Sequence, residues 1–370
     1  MDVGINKVVL IGNGFDLAHG FPTSYNQFML DYLKKRLIAN WGTQRGNNEE
    51  DIFKFHFEKK FSDVAQKDLD NYHNLQTLLT NLKRANISIY GEIDFANSLL
   101  GACSRQWVDI EEIYYRELLK ISLILNEDEQ SKQLTKLNQA LLTIKKALIE
   151  YLSSLQLNVD NHSRPFLEIC QFIEQPLNNN SFSKHFNINI AKNVRTANEI
   201  ENIMLVNFNY TTTPQFYQDA LENVNSLNIR STNIHGKLSL QDAIFGYGDD
   251  FSEEYKKLEN ANIESLLVNM KTSWYSKTSR YHELINFINS QPYHVLIMGH
   301  SCGLSDRTLL NSIFENDNCM DIEILFHEKE PGNDDHFSKS LNISRHFSDK
   351  QKFRYRIIPR DKSFKMPQFI

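Results

Sequence analysis

Four consecutive apolar residues, Val8-Val9-Leu10-Ile11, run into Gly12-Asn13-Gly14-Phe15-Asp16, and no other stretch constrains this chain as much. An uninterrupted apolar run reads as a strand buried on both faces, the pattern of a parallel sheet. Two glycines one residue apart then make a tight turn. Through such a turn a backbone can approach a pyrophosphate, while the N-terminus of a following helix offers free N–H groups to an anion. The dinucleotide fingerprint Gly-x-Gly-x-x-Gly breaks at its third glycine, where Leu17 stands, so an ordinary dehydrogenase is not indicated. A structural turn in any α/β protein fits the same residues.

A chain of 370 residues can bury a large core and suffices for one elaborated domain or two ordinary ones. Its net charge of -6 argues against wholesale coating of nucleic acid. No segment has the length of a membrane span, and no signal segment precedes the first motif. Cys103, Cys170, Cys302 and Cys319 form no Cys-x-x-Cys pair, so neither a zinc knuckle nor a disulfide framework is suggested, and a cytoplasmic protein with reduced thiols is expected.

Along the chain, Thr23-Ser24 offers a helix cap before a helix over 25–38 that is expected to pack on the sheet. Residues 41–51 read as a polar loop. From Ile52 to about Ser183 the pattern is mostly helical, with Phe53, Phe55, Phe57 and Phe61 in one run and Leu75, Leu78, Leu79 and Leu82 in another. A long run over 110–155 lacks glycine and proline. After Glu199, buried-strand patterns recur at Ile203–Val206, Leu227–Ile234, Ala243–Phe245, His294–Met298, Ile322–Phe326 and Phe353–Ile358, with helices between them. Arg354 and Arg356 read as charges on an edge strand. The expected fold is α/β: a doubly wound, mostly parallel Rossmann-like sheet from 1–40 and 200–370, with a helical insertion over 41–199.

Several of the strands end in glycine, asparagine, histidine or acidic residues, and open parallel sheets bind ligands beyond the carboxyl ends of their strands. These ends are Gly12-Asn13-Gly14-Phe15-Asp16, Asn207-Phe208-Asn209-Tyr210-Thr211, Ile234-His235-Gly236, Phe245-Gly246-Tyr247-Gly248-Asp249-Asp250 and Gly299-His300-Ser301. As an ordered set they resemble the bacterial AbiH family, named for phage abortive infection. Trp107-Val108-Asp109-Ile110-Glu111 resembles that family's Trp-x-Asp-x-Glu element. The skeleton is more distantly similar to the sirtuin-like NAD-binding fold.

That second resemblance implies a phosphate turn at Gly12 and Gly14, an asparagine near the nicotinamide ribose at Asn209, a catalytic histidine at His235 and an adenosine-side loop at Gly299 and Ser301. Asn13, Phe15, Asp16, Asn207, Tyr210, Gly236 and His300 complete the expected NAD contacts. Thr211 stands where sirtuins have an aspartate, and their four-cysteine zinc module is missing, which points away from deacetylation. The implied activity is therefore triggered NAD hydrolysis in phage defence, with NAD as substrate and no tightly bound cofactor or metal.

Each residue also has a plainer reading. His235 fits a strand-end histidine satisfied by backbone, Asn209 an Asx-turn, Asp16 a helix cap, and Asp249-Asp250 a solvated turn. His300 fits a ligand contact or a strand end where only the backbone matters. A nucleotide-sensing module without turnover is one rival. A metal-dependent nuclease or nucleotide hydrolase using Asp16, Asp109, Glu111, Asp249 or Asp250 is another. Expected partners are NAD or a related nucleotide and a phage-derived trigger, with no membrane and no clear nucleic acid. The long helical run offers a surface for a homo-oligomer.

Overall fold

The computed structural model describes residues 4–40, 52–57, 73–101, 108–175, 200–224 and 228–369. Five strands form one parallel sheet: β1 (Ile5–Ile11), β4 (Ile200–Asn207), β5 (Asn228–Asn233), β6 (Tyr293–Met298) and β7 (Cys319–Leu325). Their order is β5-β4-β1-β6-β7, and every pairing is parallel. The chain thus winds outward from β1 to one edge, returns to the centre and winds out to the other. This is the Rossmann-like arrangement, and its switch point lies beside β1.

Both faces of the sheet are covered, which is why the middle stretches of β1, β4 and β6 are apolar on both phases. Val8, Leu10, Met204, Val206, Val295, Ile297, Ile322 and Ile324 point into one layer. There they meet α12 (Arg280–Ser290) and α13 (Arg307–Phe314) through Leu284, Ile288, Leu309 and Ile313. The alternate residues Val9, Ile11, Ile203, Leu205, Leu296 and Met298 face α7 (Arg164–Glu174) and α8 (Thr213–Val224), which supply Phe166, Ile169, Tyr217 and Leu221. A period of two with both phases apolar is what a sheet buried on two sides requires.

The helix α1 (Asn13–Ala18) that follows β1 has only six residues. The next, α2 (Tyr25–Asn40), opens with Ser24 and Gln27 in a reciprocal cap: Gln27 N–H donates to Ser24 Oγ, and Ser24 N–H to Gln27 Oε1. Helix α2 does not lie on the sheet as its position suggests. Phe28, Leu33 and Leu37 instead join a third core with Leu78, Leu82, Phe95, Tyr114, Leu137 and Ile144. Those side chains come from α3 (Leu75–Arg84), α4 (Asp94–Gly101), α5 (Val108–Ser122) and α6 (Glu127–Ser154).

Several elements differ from the sequence reading. Phe53, Phe55 and Phe57 belong to a strand, β2 (Phe53–Phe57), paired antiparallel with β3 (Ile87–Gly91). Their alternation with Lys54 and His56 is the strand period. The long run over 110–155 is two helices, because the chain turns at 123–126 and Asn126 caps α6 by accepting from Glu129 N–H. Between Ser252 and Asn289 lie α9 (Glu253–Asn260), α10 (Glu264–Leu267), α11 (Lys271–Tyr275) and the start of α12.

Ala243–Phe245 is not a strand; Ile244 N–H bonds the His235 carbonyl in an irregular turn. Phe353–Ile358 is largely helix α15 (Lys350–Arg356), because Asp349 accepts from Gln351 and Lys352 N–H and starts a helix there. Arg356 is accordingly no edge-strand charge. It is buried and donates to the Phe314 carbonyl at 2.5 Å. Beyond β7 come a small ribbon of β8 (Glu328–Glu330) and β9 (Asn333–Asp334), then α14 (His336–Ser344). The expected loop over 41–51 and Trp107 lie outside the described residues. No helix among the described residues is long and apolar enough to cross a membrane.

Candidate active site

The carboxyl ends of the strands open into one cavity of about 740 Å³, in the size range of small-molecule sites. The turns after β1 and β6 meet at its floor, and their glycines are needed for that contact. A Cβ on Gly12 would sit 2.6 Å from His300 Cα, and one on Gly14 would sit 2.8 Å from the Gly299 carbonyl oxygen. Gly299 itself has φ +70°, and a Cβ there would come within 2.1 Å of Phe15 N. These absent side chains make room for the neighbouring turn.

The same packing uses the N–H groups that a phosphate would need. Gly12 N–H donates to Met298 O, Gly14 N–H to Gly299 O and Phe15 N–H to Gly12 O.

Asp16 reaches the cavity wall from α1 and is no helix cap; Gly12 holds that place. Thr211 Oγ1 donates to its Oδ2 at 2.7 Å. Burial pushes its carboxyl up to about 6, against the pull of the Thr213 and Thr211 hydroxyls.

The Asx role considered for Asn209 falls to Asn207. Asn207 Oδ1 accepts from Asn209 N–H, and its Nδ2 donates to Thr211 O and Asn233 Oδ1, so this side chain is fully used in shaping the strand end. Asn209 is thereby aimed into the cavity. Tyr210 also lines it, anchored by its hydroxyl on Ile244 O at 2.7 Å.

His235 leaves β5 at a turn completed by Gly236, whose φ is +86°. A Cβ on Gly236 would overlap Asp242 O. The His235 ring stands 3.1 Å through Nδ1 from the Phe208 carbonyl, which can only accept, so Nδ1 carries the proton. Its Nε2 faces Asp306 Oδ1 at 3.0 Å. Beyond Asp306 lies Lys271, whose Nζ is 2.8 Å from Asp306 Oδ1 and 2.8 Å from Glu111 Oε2. Glu111 comes from α5, and its Oε1 also accepts from Gly246 N–H.

Burial alone would pull the Lys271 ammonium down, but Asp306 and Glu111 outweigh it and raise it. Burial likewise pushes Asp306 up, yet Lys271 and His235 overcome that and hold it well below the carboxylate range. For Glu111 burial prevails and its carboxyl is raised. His300 accepts Cys302 N–H on Nδ1 and is drawn down to about 4, chiefly by burial, so it is a neutral ring.

Of the expected contacts, Gly12, Asn13, Gly14, Asp16, Asn209, Tyr210, His235, Gly299, His300 and Ser301 line the cavity. Phe15 does not; it packs on His19 and Tyr217 beneath the sheet. Asn207 and Gly236 shape the wall from behind. Ser305, Asp306, Lys271 and Thr211 line it too, although the motifs did not single them out as ligands.

Asp249 and Asp250 lie elsewhere: Asp249 pairs with Arg307 at 3.2 Å, and Asp250 accepts from Thr308 Oγ1. The side chain of Asp109 lies outside the described residues, and Glu111 stands on helix α5. Among the described residues, no three His, Cys, Asp or Glu side chains converge as a metal ion would require.

Among the described residues, buried polar atoms without a hydrogen-bond partner gather on this wall: Asp16 Oδ1, Asn26 Oδ1, Asn209 Nδ2, His235 Nε2 and Ser305 Oγ. Buried polar groups are nearly always paired, so several on one cavity mark a place for a polar ligand. Sheet order and switch point define a Rossmann-like α/β protein with a cavity at the carboxyl ends of its strands. The chain belongs to the family of bacteriophage abortive infection AbiH proteins, whose model matches residues 8–328. Its place is therefore in antiphage defence. No curated protein matches it.

Proposed function

We propose that this chain hydrolyses NAD at the nicotinamide glycosidic bond, releasing nicotinamide and ADP-ribose, and that NAD loss is its contribution to abortive infection. The observation that carries the reading is the set of unpartnered polar atoms, acceptors, a donor and a hydroxyl, on a single cavity at the switch point. A ribose presents hydroxyls that both donate and accept, which suits a lining of this kind.

The chemistry asks little more. The C–N bond breaks with its electron pair going to the pyridinium nitrogen, and nicotinamide leaves neutral without an acid. Water attacks the oxocarbenium-like carbon and gives its proton to His235 Nε2, whose ring orientation the Phe208 carbonyl fixes. General-base help of this kind is worth about 10²–10⁴-fold. Asn209 Nδ2 orients the water or the carboxamide, and Asp16 Oδ1 accepts from a ribose hydroxyl. Constitutive hydrolysis would harm the host, so the resting protein is held inactive until triggered.

The test is nicotinamide release from NAD by purified protein, followed by chromatography with and without lysate of phage-infected cells. Release that disappears in His235→Ala and Asn209→Ala, with unchanged thermal unfolding, supports the proposal. Absence of release under every condition refutes it, and NAD binding without release would mark a sensing module.

A further inference from the structure

The proposed reaction makes no direct use of the three charges behind His235, yet all are deeply buried: Lys271 is 1%, Asp306 5% and Glu111 7% exposed. A buried ion cluster is a weak device for stability, since desolvation offsets much of its attraction and apolar replacements often do as well. Its retention against a cavity wall calls for another reason, and the geometry supplies one. Asp306 Oδ1 is shared between Lys271 Nζ at 2.8 Å and His235 Nε2 at 3.0 Å, while Asp306 Oδ2 faces the His300 ring at 3.7 Å.

We infer that Asp306 is a positioning residue for His235, and that Lys271, clamped by Glu111 of α5, fixes Asp306 in place. The inference rests on the reading of His235 as the base.

Nδ1–H is committed to Phe208 O, and Nε2 lies 3.0 Å from the Asp306 carboxylate, so a positive charge gained by the ring forms next to a negative one. When His235 takes its proton from water, the ring's positive charge is met by the Asp306 carboxylate, whose Oδ1 stands 3.0 Å from Nε2. Asp306 does not take the proton itself, because Lys271 and His235 favour its ionised form over the neutral one. Glu111 supplies the second partner that keeps Lys271 from swinging away. Helix α5, outside the sheet region, thereby contributes a side chain to the order of the site.

The experiment has two arms. In turnover, Asp306→Asn lowers kcat on the order of 100-fold with KM within threefold, and Glu111→Gln, which can still accept from Lys271, loses far less. Without substrate, carboxyl ¹³C NMR of aspartate-labelled protein shows the Asp306 titration moving to higher pH in His235→Gln. Wild-type turnover with kcat of Asp306→Asn within threefold of it overturns the inference and leaves the NAD reading intact. If wild-type protein releases no nicotinamide, the NAD reading falls, and the NMR arm decides alone: an Asp306 titration unmoved by His235→Gln overturns the inference as well. Should Asp306→Asn fail to fold, the same arm decides.

Discussion

Replacing Lys271 by Met keeps most of the side-chain length and removes only the charge. Little cavity forms, so the cost is electrostatic. Lys271 Nζ sits 2.8 Å from both Glu111 and Asp306, and all three groups are nearly closed to solvent. Taking away one member of such a cluster leaves its partners buried and uncompensated, a loss of about 3–5 kcal/mol. Unfolding entropy near 2.1 cal/mol/K per residue gives about 0.8 kcal/mol per kelvin for 370 residues, so melting should fall by about 4–6 °C at pH 8.

The pH dependence gives the sharper test. In the wild type Asp306 is depressed, so its contribution to stability is present above the ordinary carboxyl range and lost only in strong acid. In the variant both carboxyls lose the Lys271 cation, burial weighs more heavily on them, and the folded state gains stability as acid protonates them. The deficit of the variant should therefore shrink from pH 8 to pH 5 in calorimetric melts. The triple variant E111Q/K271M/D306N, which buries no charge here, should be less destabilised than K271M alone. A deficit that is constant with pH, or a triple variant as unstable as the sum of its parts, would refute this account of the cluster.

Asn207 and Asn209 should part company despite lying two residues apart. Asn207→Ala strands the Asn209 N–H, the Thr211 carbonyl and Asn233 Oδ1, and should cost about 1–3 kcal/mol in urea unfolding. Asn209→Ala removes an amide that faces the cavity, and should leave the urea midpoint nearly unchanged while nicotinamide release is lost; the opposite pattern would exchange their roles. His346, outside the cavity lining, donates to Cys302 O at 2.8 Å and is drawn down to about 4 by burial. Its stabilising effect is full above pH 6.5 and is lost as pH falls through 4, so the advantage of wild type over His346→Gln should narrow across that window by up to about 3 kcal/mol. An advantage independent of pH would mean that His346 does not stay neutral.

The strands of the central sheet were legible because burial on both faces leaves no polar phase: Val8–Ile11, Ile203–Val206 and His294–Met298 can hardly be anything else. Where an element is half exposed, local competition decided. Phe353, Tyr355 and Ile357 alternate with Arg354 and Arg356 as a strand would, yet Asp349 caps a helix and the Phe314 carbonyl receives Arg356. The glycines at 12, 14 and 299 were legible as places where a side chain cannot fit. Their cause was not, since a nearby phosphate and a nearby turn ask for the same missing Cβ, and here the neighbour is the turn.

The site divides along the same line. Asn209 and His235 stand at strand ends, and the topology alone brings strand ends together. Lys271 follows Asn269-Met270 with nothing local to mark it as buried. Its partner Glu111 lies 160 residues away and reaches it only because α5 packs beside the strand ends. Sequence patterns record which faces are apolar; they do not record which charge on one helix will meet which charge on another. The part of the site built by the sheet could therefore be read in advance, and the ion cluster behind His235 required the fold.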